Sequence, residues 1–323
     1  SSGLQVSKPS DDPGAYGLIR SLKCDLAKLE QYSRNANMAL NYHQAVNQSI
    51  NQAVNIMHRV NELAISGGDA TFDDVLRGTI AEEINAMLES LIGVANEIVD
   101  IAIATFGRWV RGVDLAGDEV TYPPERFIEP FQRAYDAGLH ITIHAGEAFG
   151  LPSIWEALQI CGAERLGHGV RIVDDITIDP EGQAHLGPMA AFVRDRRVPL
   201  EMCPTSNVHT GVCDTIAEHP IGLLKRLRFR VTVNTDNRLM SDITLSREFA
   251  NLHEAFGWGW DDFEWLTINA MKSSFWPFDK RLRIIDEQIK PGYATLKASS
   301  LGSSASSITP PFVASGDETE VVG

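Results

Sequence analysis

His140-Ile-Thr-Ile-His-Ala-Gly-Glu147 is the stretch on which the reading of this 323-residue chain turns. Side chains alternate across a β-strand, so His140, Thr142 and His144 take one face and Ile141 and Ile143 the other. Such a strand ends at His144, with Glu147 in the loop just beyond it. Four more short apolar runs read the same way: RGVDLAG (111–117) upstream, and ERLGHG (164–169), PLEMCPTS (199–206) and RVTVNTD (230–236) downstream. Their centres lie roughly 23–35 residues apart with helical stretches between them, the repeat of βα units and a parallel sheet. Each run ends in polar residues at its carboxyl end, where α/β folds place their sites. His144, Glu147, His168 (flanked by two glycines) and Asp236 (followed by Asn237) thereby gather at the ends of different strands. Imidazole and carboxylate suit zinc, and a glutamate with a second histidine suits proton transfer.

Outside these runs, composition sets limits. The formal charge is −15 and no basic stripe appears, which argues against nucleic-acid or anionic-membrane binding. No apolar run reaches the ~18–20 residues of a membrane span. The 44% apolar content supplies a packed core, and the length predicts two domains. The opening Ser-Ser-Gly, with neither a basic nor an apolar leader, predicts no signal peptide. Cys24, Cys161, Cys203 and Cys213 follow no metal or disulfide spacing, so reduced thiols and a cytoplasmic location are expected. Residues 295–323, rich in Ser, Gly and Pro, are expected to form a disordered tail.

The amino-terminal third has a different texture. Residues 1–12 read as loop, and from Tyr16 to Asn96 the pattern is helical, broken once at SGGDATFDD (66–74). Val46, Ile50, Ala53, Met57, Val60 and Ala64 follow a 4-3 spacing, and Ile80, Ile84, Met87, Leu91, Val94, Ile98 and Ile101 repeat it. A 3.5-residue period predicts helices paired along a narrow seam, as in a coiled coil or bundle.

From about Ile98 to Ala294 the chain resembles adenosine deaminase, through DLAGDE (114–119), HAGE (144–147), GHG (167–169), CPTSN (203–207) and NTDN (234–237). The resemblance implies a TIM barrel and hydrolytic deamination of adenosine to inosine. By the same resemblance His144 and Asp236 match two zinc ligands, and Glu147 matches the acid that protonates the purine ring nitrogen. His168 matches the histidine that orients and deprotonates the attacking water. Gly117 matches the backbone contact to the purine, and Asn237 stands where many members have a second Asp against it. Zinc in such a site would lower the pKa of its bound water toward ~7. Asp114 and Glu119 read equally as support for this site or as surface.

Two family features are missing. The family's remaining zinc ligands form a His-Xaa-His pair on its first strand, and this sequence contains no such pair. Five strands are present where the barrel has eight, so the expected fold is a partial barrel, strands four to eight, with open sheet edges. Residues 1–97 resemble instead the amino-terminal helical region of flagellin and hook-associated flagellar proteins, through SSGL, KPSDDP and RVNELAISGG. The expected division is therefore 1–97 flagellin-like, 98–294 deaminase-like and 295–323 tail. Three functions follow as expectations: a zinc-dependent purine nucleoside deaminase weakened by an incomplete metal site, a flagellar structural protein, or an inactive chimera of the two. Self-association through the heptad helices or the open sheet edges is expected as well, and a flagellar location is the alternative to the cytoplasm.

Overall fold

The computed structural model describes residues 13–68, 72–108 and 110–302, so residues 1–12 and 303–323 of the readings above lie outside the described residues. The chain divides into two compact units, residues 1–105 and 106–323. In the first, α1 (Pro13–Gly67) and α2 (Asp74–Thr105) pack antiparallel, because rising numbers on one meet falling numbers on the other. Ser49 Oγ reaches Glu97, Arg59 reaches Glu83, and Gly67 faces Ile80. Asp73 Oδ1 accepts the Leu76 N–H at 2.8 Å, satisfying one of the free donors where α2 starts. α2 runs unbroken through Ile98, the expected boundary.

The contact seam differs from the heptad reading. Val60, Leu91 and Val94 are buried as expected, but Ile50 is 46% exposed, whereas Ser49 and Leu63 turn inward. A straight helix has 3.6 residues per turn and drifts against a strict 3.5 repeat, so the inward face steps from one set of positions to its neighbour. Ser49 tolerates burial because its hydroxyl bonds Ala45 O and Glu97.

The second unit holds all five expected strands: β1 (Gly112–Leu115), β2 (His140–Ala145), β3 (Arg165–His168), β6 (Pro199–Met202) and β7 (Arg230–Val233). They form one parallel sheet in the order β1-β2-β3-β6-β7. Its register pairs Leu115 with Ile143, Ala145 with His168, and Met202 with Val233, which aligns the carboxyl ends. Helices α3 (Ile128–Asp136) and α4 (Leu151–Trp155) connect the first three strands, and α5 (Pro188–Asp195) precedes β6. Helices α6 (Pro204–His209) and α7 (Ile221–Arg226) lead to β7. After it come α8 (Arg238–Ser241), α9 (Leu245–Phe256), α10 (Trp260–Ser273), α11 (Phe278–Ile284) and α12 (Lys290–Gly302). Ile141, Ile143, Leu166, Leu200 and Val231 of the sheet are fully buried, as are Ile154, Val193, Ile221 and Leu224 of the helices. Thr142, read as the polar face of β2, is buried too. A parallel sheet with helices against it leaves neither face to water.

Two segments depart from expectation. A small antiparallel hairpin, β4 (Ile176–Ile178) with β5 (Ala184–Leu186), interrupts the βα repeat between β3 and α5. Residues 295–302, assigned to the tail, continue α12. Tyr293 shares a hydrogen bond with Thr267, and Lys297 pairs with Asp261 and Glu264, so contacts with α10 hold a segment that composition alone marks as loose.

Phe229, just ahead of β7, is fully buried. Phe229→Ala should lower unfolding free energy by about 3–5 kcal/mol in a urea titration. A loss below 1 kcal/mol would show that the sheet does not rest on this residue.

Candidate active site

The aligned carboxyl ends of the strands bring Asp114, His144, Glu147, His168 and Asp236 to one side of the sheet. The His144 and His168 rings meet edge-on with centroids 5.1 Å apart. His144 Nδ1 lies 3.3 Å from Asp114 Oδ1. Burial works against protonation of His144, but the Asp114 hydrogen bond and the charges of Asp114, Asp236 and Glu147 outweigh it and raise its pKa. His168 is almost wholly buried, and burial pushes its pKa down, with His144 adding to the effect and Glu147 opposing it.

Asn207 ties these groups together. Its amide nitrogen donates to Glu147 Oε1 at 2.8 Å and to His168 Nδ1 at 3.1 Å. An accepting Nδ1 leaves the His168 proton on Nε2, which faces Glu147 Oε2 at 3.4 Å. Thr210 Oγ1 donates a further bond to Glu147 Oε1 at 2.9 Å. Asn207 Oδ1 in turn accepts from His219 Nε2 at 3.1 Å and from the Cys203 N–H at 3.3 Å. His219 Nδ1 accepts the Ile221 N–H, so both ring nitrogens are engaged in the neutral form. Burial, with His168 nearby, lowers the His219 pKa to about 4.

Glu119 holds the loop that carries Glu147. Its carboxylate accepts the backbone N–H groups of Gly146, Glu147, Ala148 and Phe149, and the Ser153 hydroxyl at 2.6 Å. Burial alone would raise its pKa, but these donors prevail and lower it. The choice that the sequence left open between support and surface is thus settled for Glu119. Asp236 Oδ2 accepts the Ser206 hydroxyl at 2.7 Å. Asn237 uses its side-chain oxygen to cap α8 through the Met240 N–H. Gly117 has φ 152°, and a Cβ there would meet nothing within 4 Å, so its backbone is open. Cys161, Cys203 and Cys213 are free thiols, and burial pushes Cys161 up to about 12.

Sequence reasoning missed the roles of Asn207 and His219. Asn207 sat inside a motif already singled out, but neither spacing nor alternation marks a hydrogen-bond hub. Among the described residues, no group of three or more His, Cys, Asp or Glu side chains is placed to hold a metal ion. No helix of the described residues is long and apolar enough to cross a membrane.

A family model for adenosine deaminase matches residues 39–291. The chain belongs to the adenosine deaminase family. It is 60% identical over 202 residues to an adenosine deaminase of Mycobacteroides abscessus, covering 62% of this chain and 56% of that protein. It is 54% identical over 251 residues to one from Mycobacterium sp. strain JLS, covering 73% and 69%. The chain thus spans little more than half the length of the first of these relatives. Among solved structures, an adenine deaminase from Arthrobacter aurescens aligns with a TM-score of 0.55 at 25% identity, covering 67% of this chain and 66% of that one. An amidohydrolase from Burkholderia ambifaria with bound Zn shares the fold, with a TM-score of 0.57 at 20% identity, covering 69% and 65%. The family match begins at residue 39, inside the span read as flagellin-like, and none of these likenesses supports that reading.

A depressed histidine pKa stabilises the fold above the unfolded value and loses that contribution as pH falls toward the folded value. For His219 the window runs from about 6.5 down to about 4 and amounts to roughly 3 kcal/mol. His219→Gln should flatten the acid side of the stability profile over this window, read by urea unfolding at several pH values. An unchanged slope would sink the assignment.

Proposed function

We propose that the carboxyl ends of the sheet form the purine-handling part of an adenosine deaminase site, whose reaction is hydrolytic deamination of adenosine to inosine. The observation that carries this reading is the shared amide of Asn207, which holds the Glu147 carboxyl and the His168 imidazole against each other. Glu147 is assigned proton delivery to the purine ring nitrogen. There it prevents negative charge from building up as water adds to the amine-bearing carbon. His168, kept neutral by burial, is assigned to pass its Nε2 proton to Glu147 Oε2, to orient that water, and to take the water's proton on the vacated Nε2. The open backbone of Gly117 is assigned to the purine. Asn237, whose oxygen is committed to α8, retains its amide N–H groups for the same ring.

Zinc is the metal typical of this family, and His144 and Asp236 are the positions that match its ligands. Two ligands hold a metal weakly and leave it unoriented, so we route no step through it. We read this chain, by itself, as strands four to eight of the barrel with slow or negligible turnover, acting in the cytoplasm. After exchange against buffered zinc and desalting, the chain should retain well below one equivalent by atomic absorption. One full equivalent would overturn the incomplete-site reading. In a spectrophotometric adenosine assay any turnover should fall by roughly 10²–10⁴-fold on Glu147→Gln. Turnover indifferent to that change would remove Glu147 from the mechanism.

A second reading gives the helical unit a structural role, as the flagellin-like resemblance implies, with assembly through α1. Leu22, Leu26 and Leu29 favour it: they recur at helical spacing and are all more than half exposed. Sedimentation should then show association that Leu26→Lys weakens. A monomer at all concentrations would leave the helical unit without this role.

A further inference from the structure

The opposite end of the sheet holds a cavity of about 700 Å³ at the amino-terminal ends of all five parallel strands. Arg111, Arg196, Arg197, Arg230, Lys272 and Arg281 line it, and among the described residues none of the six pairs with a carboxylate. Its one acidic lining residue, Glu164, is taken by His140 at 2.8 Å, and Arg165 is paired with Glu201. Such a concentration of cations stands out in a chain of formal charge −15. Nor is it diluted by water on every side: the Nε atoms of Arg230 and Arg281 are buried without a hydrogen-bond partner. A buried guanidinium N–H without a partner is uncommon, and an anion is a group that would complete it. Burial depresses the Arg230 pKa, and the neighbouring charges of Arg197 and Arg281 add to the effect.

Backbone conformation adds an independent observation. The turns into β2 and β3 use glycine at positive φ, Gly138 and Gly162, whereas the turn into β6 places Arg197 at φ 57°. A side chain is disfavoured there, yet the position carries one of the cavity's cations.

We propose that this cavity is a binding site for a polyphosphate group, separate from the candidate active site. Fork-shaped guanidinium donors suit phosphate oxygens, and the volume falls within the ordinary range of small-molecule pockets. Trp276 and Phe278, both on the lining and substantially exposed, offer a face for a nucleotide base.

Isothermal titration calorimetry of the full chain with inorganic tripolyphosphate and with ATP, both in EDTA, tests the site. One saturable event per chain is expected, weakening with added salt and by about tenfold or more in Arg230→Gln. Lys272→Gln, a change at an exposed side chain, should weaken it as well and covers the case in which Arg230→Gln fails to fold. Arg247→Gln, exposed on α9 and outside the cavity, should leave it unchanged. Tighter binding of ATP than of tripolyphosphate supports a nucleotide, and equal binding supports free polyphosphate. No saturable binding by either probe overturns the proposal. So does binding that survives both cavity variants, or uptake by several sites that vanishes at physiological salt.

Discussion

The Asn207 amide gives both hydrogens, to Glu147 and His168, and receives two, from His219 and the Cys203 N–H, so all its bonding capacity is used while it is wholly buried. A buried amide in that position can neither flip nor tilt without leaving at least one polar group unpaired, at about 1–3 kcal/mol each. The bonds run to the loop after β2, the end of β3, the end of β6 and the start of α7. Four chain segments distant in sequence therefore share one orientation. The parallel register brings their ends to the same level, and the amide fixes how their side chains face. Glu119 does the complementary task for the backbone, gathering the N–H groups that the 146–149 turn leaves without helix or sheet partners.

The two ends of the sheet carry opposite chemistry. Carboxylates and imidazoles crowd the carboxyl end, where Glu147, His168, Glu119 and Asp236 are held by hydroxyl, amide or backbone donors and His144 by Asp114. Cations crowd the amino end, where several have no carboxylate at all. The contrast follows from where the connections fall. At the carboxyl end, α6 and the residue after it supply hydroxyls from Ser206 and Thr210. Tight turns entering β6 and β7 carry Arg197 and Arg228, both at positive φ. The Arg197 guanidinium donates to Arg228 O, so one strained turn braces the next.

Much of the fold was legible because β-strands in a parallel sheet are short, apolar and regularly spaced. All five were found from that pattern, and His144, Glu147, His168 and Asp236 emerged at their ends. The α1 seam was not, because Ile50 is apolar and outward while Ser49 is polar and inward, its hydroxyl satisfied by Ala45 O and by Glu97 of the other helix. Hydrophobicity cannot register a hydroxyl satisfied from 48 residues away. The β4–β5 hairpin escaped because Thr177 and His185 are polar on an exposed face, which shortens its apolar runs to almost nothing. α12 escaped because its anchors, Asp261 and Glu264, lie on another helix. In each case the deciding partner is remote, whereas periodicity reports only neighbours.

The run Gly167-His168-Gly169 shows how such remote constraints act on a short motif. A Cβ at position 167 would stand 2.8 Å from the His144 ring, and one at 169 would stand 2.7 Å from Leu200. Neither flanking position has room for a methyl group. His168 itself adopts φ 60°, as Asp236 adopts φ 53°, at a cost of roughly 1 kcal/mol or more for a residue with a side chain. That left-handed turn ends β3 and swings the ring beside His144 instead of continuing the strand's alternation. The small neighbours then let β2 and β3 approach until the two imidazoles meet edge-on. The separation of those rings is thus set by packing of the sheet, before any ligand or substrate is bound, and a single added methyl at position 167 would change it.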